Sequence, residues 1–116
     1  MPKYAELTDA IDPALTNLEE RHLLKADVYV DAKLAEIGIN PADLILPKPV
    51  LTELASAWAL RMAAIEGSMG DSSQLNDKAK QYERNAELLA KTLSREALGL
   101  SQVAGVGLGY FSVGRG

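Results

Sequence analysis

The stretch PKPVLTELASAWALRMAAIEG, residues 47–67, limits the fold more than any other part of the chain. Proline is well placed just inside a helix start and glycine just past its end, so the spacing predicts a helix entered at Pro49 and ended at Gly67. One stripe of that helix is Leu51, Leu54, Ala55, Trp58, Met62 and Ile65, and the opposite side offers Ala57, Ala59, Ala63 and Ala64. Only Glu53, Arg61 and Glu66 carry charge. A helix that is apolar most of the way round must be covered on several sides, so it is either the centre of a helical domain or part of a subunit interface.

Two amphipathic helices are available to cover it. In the first, Leu23, Ala26, Val30, Leu34 and Ile37 recur at helical spacing, and Gly38 supplies a left-handed stop. Thr16 followed by Glu19 fits a capping box, which sets this helix at about residues 16–37. In the other, Leu75, Ala79, Tyr82, Ala86, Leu89 and Leu93 step by fours and threes through about residue 97, with Asp71 or Ser72 as its cap after the glycine and serine loop GSMGDSSQ. A short helical turn is possible around residues 5–11, broken before Pro13. The reading is an all-α fold: a small antiparallel bundle of three main helices. Its predicted core joins Trp58, Leu54, Met62, Leu89, Leu93, Leu34 and Val30.

The connection GINPADLILPKPV, residues 38–50, is a proline-rich elbow. Asn40-Pro41 opens a turn, Pro47 and Pro49 keep the backbone extended, and Leu44, Ile45 and Leu46 are apolar enough to pack on the core. The last residues, AGVGLGYFSVGRG, differ in kind. Glycines at 105, 107 and 109 disfavour a helix, while alternate Val106, Leu108 and Tyr110 suit an extended segment lying on a partner. The chain therefore divides into a helical domain, 1–100, and an extended glycine-rich C-terminal arm, 101–116. On the arm, Val106, Leu108, Tyr110 and Phe111 are the expected anchors, and Arg115 is the expected ion-pair donor.

At 116 residues the chain suits one domain. It has no cysteine, which removes disulfides and thiolate metal sites and makes a reducing compartment the simplest expectation. The opening residues MPKYAELTDA lack the apolar core of a signal peptide, and no apolar run is long enough for a membrane span, so no membrane association is expected. The formal charge of −4 arises in residues 1–37, where eight acids face four bases; from 38 onward the two signs balance at eight each. That distribution opposes direct DNA binding, which calls for a basic stripe.

No catalytic constellation emerges. His22 is the sole histidine and is expected to serve as a surface or capping residue. Asp27 and Asp31 share a helix face, but Lys25 and Lys33 are near enough in sequence to neutralise them. The GVGLG run follows a helix and opens none, unlike a phosphate-cradling loop. No enzyme activity, metal or cofactor is expected.

The order LLKADVYVDAKLAEIGINPADLILPKPVLTELASAWALRMAAIEG, then LNDKAKQYERNAELLAKTLSREALGL, resembles the small head-tail connector proteins of tailed bacteriophages, also called adaptor or head-completion proteins. The sharpest part is the leucine-proline elbow running into ELASAWALRMA, and the resemblance covers about residues 18–100. It implies a structural virion protein made in the host cytoplasm and placed in the neck. There a ring of about twelve copies sits beneath the portal protein, extends the DNA channel without sequence-specific binding and carries the neck or tail-completion protein. Surplus carboxylates would give a channel wall that repels DNA, and Glu19, Glu20, Asp27 and Asp31 are the candidates. The alternative, from the residues alone, is a small dimeric regulatory or antitoxin-like binding module paired through the second helix and the arm.

Overall fold

A computed structural model describes residues 2–68 and 73–100. It contains α1 (Glu20–Glu36), a 3₁₀ turn (Pro41–Asp43), α2 (Pro49–Ser68) and α3 (Ser73–Lys91). No strand occurs among the described residues. The arm residues Val106, Leu108, Tyr110, Phe111 and Arg115, and the predicted caps Asp71 and Ser72, lie outside them.

The fold is the small all-α bundle, and α2 is its centre, packed against both α1 and α3. Leu51, Leu54, Ala55, Ala59, Ala63 and Ala64 are fully buried along α2. Because its small residues occupy the sides facing its neighbours, the helices can approach closely while Leu51 and Leu54 fill the space between them. Lys48 provides the entry, its carbonyl accepting from the amides of Leu51 (3.0 Å) and Thr52 (2.9 Å), and Pro49 takes the first helical position. Of the predicted core, Leu54, Leu34, Val30 and Leu93 are buried, whereas Trp58, Met62 and Leu89 are half-buried against them. Trp58 stacks on Tyr29 of α1 with ring centroids 3.8 Å apart, and the Arg61 guanidinium lies 4.4 Å from its ring centroid. Arg61 in turn pairs with Glu83 of α3 at 3.4 Å, so one aromatic stack links all three helices.

Helix ends follow local chemistry. Gly38 has φ +76°, and the amides of Gly38 and Ile39 return to the carbonyls of Ala35 (3.0 Å) and Leu34 (2.9 Å). This is the paired closure of a glycine-terminated helix, with Ile39 buried against the end it closes. The start of α1 differs from the expected Thr16. The helix begins at Glu20, because the Glu19 amide donates to His22 Nδ1 (2.9 Å) and Asn17 donates its side-chain amide to the Ala63 carbonyl of α2 (2.9 Å). Residues 16–18 are thereby drawn across α2 and do not extend α1. Similarly, α3 stops at Lys91 and not near 97. Thr92 Oγ1 donates back to the Leu89 carbonyl (2.7 Å), and Ser94 Oγ caps a separate turn by accepting from the Ala97 amide (3.0 Å). That turn closes at Gly99, also at φ +76°, and buries Leu98.

In the elbow, Leu44 packs on the core, but Ile45 is 82% exposed and Leu46 also reaches solvent. The expectation that all three would pack inward is corrected. An extended backbone turns successive side chains to opposite sides, so Leu44 and Ile45 cannot both face the core. Residues 2–19 form no helix, only turns, yet Tyr4, Ala5, Ala10 and Leu15 are buried.

Candidate functional site

Of the four carboxylates singled out from sequence, two form part of an anchor for segment 2–19. Asp27 is 7% exposed, and its Oδ2 accepts from the Lys3 amide (2.8 Å). Asp31, one turn on, accepts from Lys3 Nζ (2.8 Å) and from the Tyr4 hydroxyl (2.5 Å). The charge partner of Asp31 is therefore Lys3 from a distant part of the chain, with the Tyr4 hydroxyl as a neutral second donor, while Lys33 pairs with Glu36 at 3.5 Å. Burial, and then the Asp31 carboxylate, push the Tyr4 phenol well above its usual range.

Glu19 and Glu20 stand apart from this pair, exposed at the start of α1. There, acidic side chains complement the helix dipole. Glu19 also pairs with Arg21 Nε at 2.6 Å. Arg21 forms a two-pronged contact with Glu66 at the end of α2 (2.9 and 2.7 Å), and His22 Nε2 lies 3.0 Å from the same carboxylate. Arg21, then His22, hold the Glu66 carboxyl down at about 2. His22 does cap the helix, as one of the expected roles had it, but it is fully buried. Its Nδ1 receives an amide proton, so Nε2 carries the ring proton and donates it to Glu66. With both nitrogens engaged, this histidine has none left for a substrate or a metal. Among the described residues, no group of three or more His, Asp or Glu side chains is placed to hold a metal ion.

Sequence reasoning missed a second anchor. Asp12 Oδ2 accepts from Lys78 Nζ (2.8 Å) and the Tyr82 hydroxyl (2.5 Å), both on α3, while Oδ1 accepts from the Ala14 amide (2.9 Å). Lys78, then Tyr82, hold this carboxyl at about 2, whereas burial followed by Asp12 pushes the Tyr82 phenol up to about 12. The only local signal was an aspartate just before Pro13, which is typical of a turn and says nothing about α3.

The surface also carries a groove of about 620 Å³ between α2 and α3. Ser56, Ala57 and Leu60 line it from α2, and Leu88 and Leu89 from α3. Leu88 is 62% exposed. Ser56 is 8% exposed, and its hydroxyl has no hydrogen-bond partner among the described residues. Elsewhere Leu24 and Val28, one turn apart on α1, are exposed, as are Leu7 and Ile11. No described helix is long and apolar enough to cross a membrane. Such surfaces can hold another polypeptide. The chain matches no family model, no curated protein sequence and no solved structure.

Proposed function

We propose that this chain is a structural adaptor of the head-tail connector kind, a ring of about twelve copies beneath a phage portal that extends the DNA channel and receives the neck or tail-completion protein. The observation that carries the reading is the succession of parts: a helix with an exposed acidic start, a proline elbow, an alanine-rich central helix and a third amphipathic helix. In this reading Glu19 and Glu20 are the carboxylates best placed to face passing DNA. Asp27 and Asp31 serve mainly to hold segment 2–19. The exposed Leu24 and Val28 of α1 are the candidate contacts between neighbouring copies. On assembly the arm, residues 101–116, passes to the portal or an adjacent copy and is held there through Tyr110 and Phe111.

For a dimeric regulator paired through the second helix and the arm, α2 offers little of the contact, because most of its apolar surface is buried inside the subunit. The test is to mix the purified protein with portal rings and examine the product by electron microscopy. The adaptor reading expects an added ring on one end of the portal, even if the free protein is monomeric. A chain that never associates with portals, whether isolated or on filled heads, is not an adaptor.

A further inference from the structure

The groove between α2 and α3 and the glycine-spaced segment after Leu100 have matching chemistry. The groove is apolar along Ala57, Leu60, Leu88 and Leu89, and it holds the unpartnered hydroxyl of Ser56. Its rim carries Asp9 and Glu53, and no basic side chain lines it. Residues 101–116 contain no carboxylate side chain, one positive charge at Arg115, and large apolar residues alternating with glycine from 105 to 110. We infer that, in the free subunit, residues 106–111 of this chain lie in its own α2–α3 groove and cover Leu88.

Position favours the chain's own segment over a second copy's. Leu98 is buried, and a β-carbon at Gly99 would sit 3.3 Å from Lys48 Nζ, so the chain leaves the bundle beside the start of α2. Lys48 is one helical turn before Thr52, which lines the near end of the groove. From Thr52 to Leu60 the groove follows α2 for about 12 Å at about 1.5 Å per residue. Residues 101–105 can span roughly 17 Å when extended, enough to reach that end, and 106–110 cover a similar length. Extended, Val106, Leu108 and Tyr110 share one side, and the glycines leave the other side free of bulk. A groove of about 620 Å³ is within the range of about 300–1,000 Å³ that accommodates a few such side chains. Short tethering raises the effective concentration of the segment to about the millimolar level, so even a weak contact is occupied.

This inference does not depend on the virion reading, and its test is separate from the portal experiment. Since the chain has no cysteine, Ser112→Cys gives a single site for a nitroxide label on the otherwise full-length protein. The expected result, in nitrogen-15 spectra, is selective broadening at the amides of Ala57, Leu60, Asn85 and Leu88 that survives dilution. It should also survive an excess of unlabelled protein. Introducing Leu88→Lys, at an exposed position that leaves the core intact, should remove the broadening. Broadening spread evenly over the surface overturns the inference, and so does broadening that Leu88→Lys leaves unchanged. Broadening found only between a spin-labelled copy and a separate isotope-labelled copy assigns the groove to a second molecule and overturns the docking within one chain.

Discussion

The central helix α2 and the segment 2–19 are both held against the bundle, but by different forces. Along α2 nine residues are buried, all but Ser56 apolar. Burial of that kind has no direction and tolerates small shifts, since it scales with area removed from water. Segment 2–19 buries Tyr4, Ala5, Ala10 and Leu15 but forms no helix, and its course is set by contacts to Asp27 and Asp31 of α1 and from Asp12 to Lys78 and Tyr82 of α3. Charged hydrogen bonds act over about 3 Å and at defined angles, so they specify a path where apolar packing alone would leave several. Removing a carboxylate should therefore release one segment, whereas removing a central leucine should weaken the whole bundle.

The largest effect is expected for Leu54→Ala. Leu54 is fully buried at the centre, and the cavity left behind should cost about 2–5 kcal/mol in urea denaturation, with all helices melting together. A loss confined to one helix would show that α2 is not the shared core.

Next is Asp12→Ala, which removes two charge-assisted bonds and leaves the Tyr82 hydroxyl without its partner. A loss of about 2–3 kcal/mol is expected, together with faster proteolysis within 2–19 than within α2. The same anchor gives a pH signature. The folded Asp12 carboxyl is held at about 2, below its unfolded value, so its contribution is complete above about pH 4. It is lost as pH falls from about 4 to about 2, because the unfolded chain takes up the proton first. Wild type should lose stability across that window more steeply than Asp12→Ala; equal slopes would remove the anchor from the account.

A smaller term is the stack of Tyr29 on Trp58. A double-mutant cycle with Tyr29→Leu and Trp58→Leu should return a coupling of about 0.5–1.5 kcal/mol. No coupling would mean that the two rings contribute only as separate apolar surfaces. The smallest effect is expected for Ile45→Thr. The side chain is 82% exposed in the elbow, and the change in stability should stay within about 0.5 kcal/mol. A larger loss in the assembled state alone would mark Ile45 as a contact with another molecule.

Most of the helical frame was legible in the residues themselves. The spacing of Leu23, Ala26, Val30 and Leu34, the proline entry at Pro49 and the glycine stop at Gly38 all act within one or two turns, so local pattern and local chemistry coincide. The near-continuous apolar surface of α2 likewise required a central position, since no single neighbour can cover it. Of the candidate sites, Glu19 and Glu20 are exposed acids at a helix start, but the expected neighbours Lys25 and Lys33 give way to the Lys3 amide at Asp27 and the Lys3 ammonium at Asp31.

Only the tertiary structure decided the rest. The start of α1 moved from Thr16 to Glu20 because Asn17 reaches Ala63, 46 positions along the chain. Asp12 meets Tyr82 across 70 positions, and Tyr4 meets Asp31 across 27. Nothing in the spacing of those residues records such pairings. A helix is specified by neighbours three and four residues apart, whereas a carboxylate finds its donor wherever the packed helices bring one within hydrogen-bond reach.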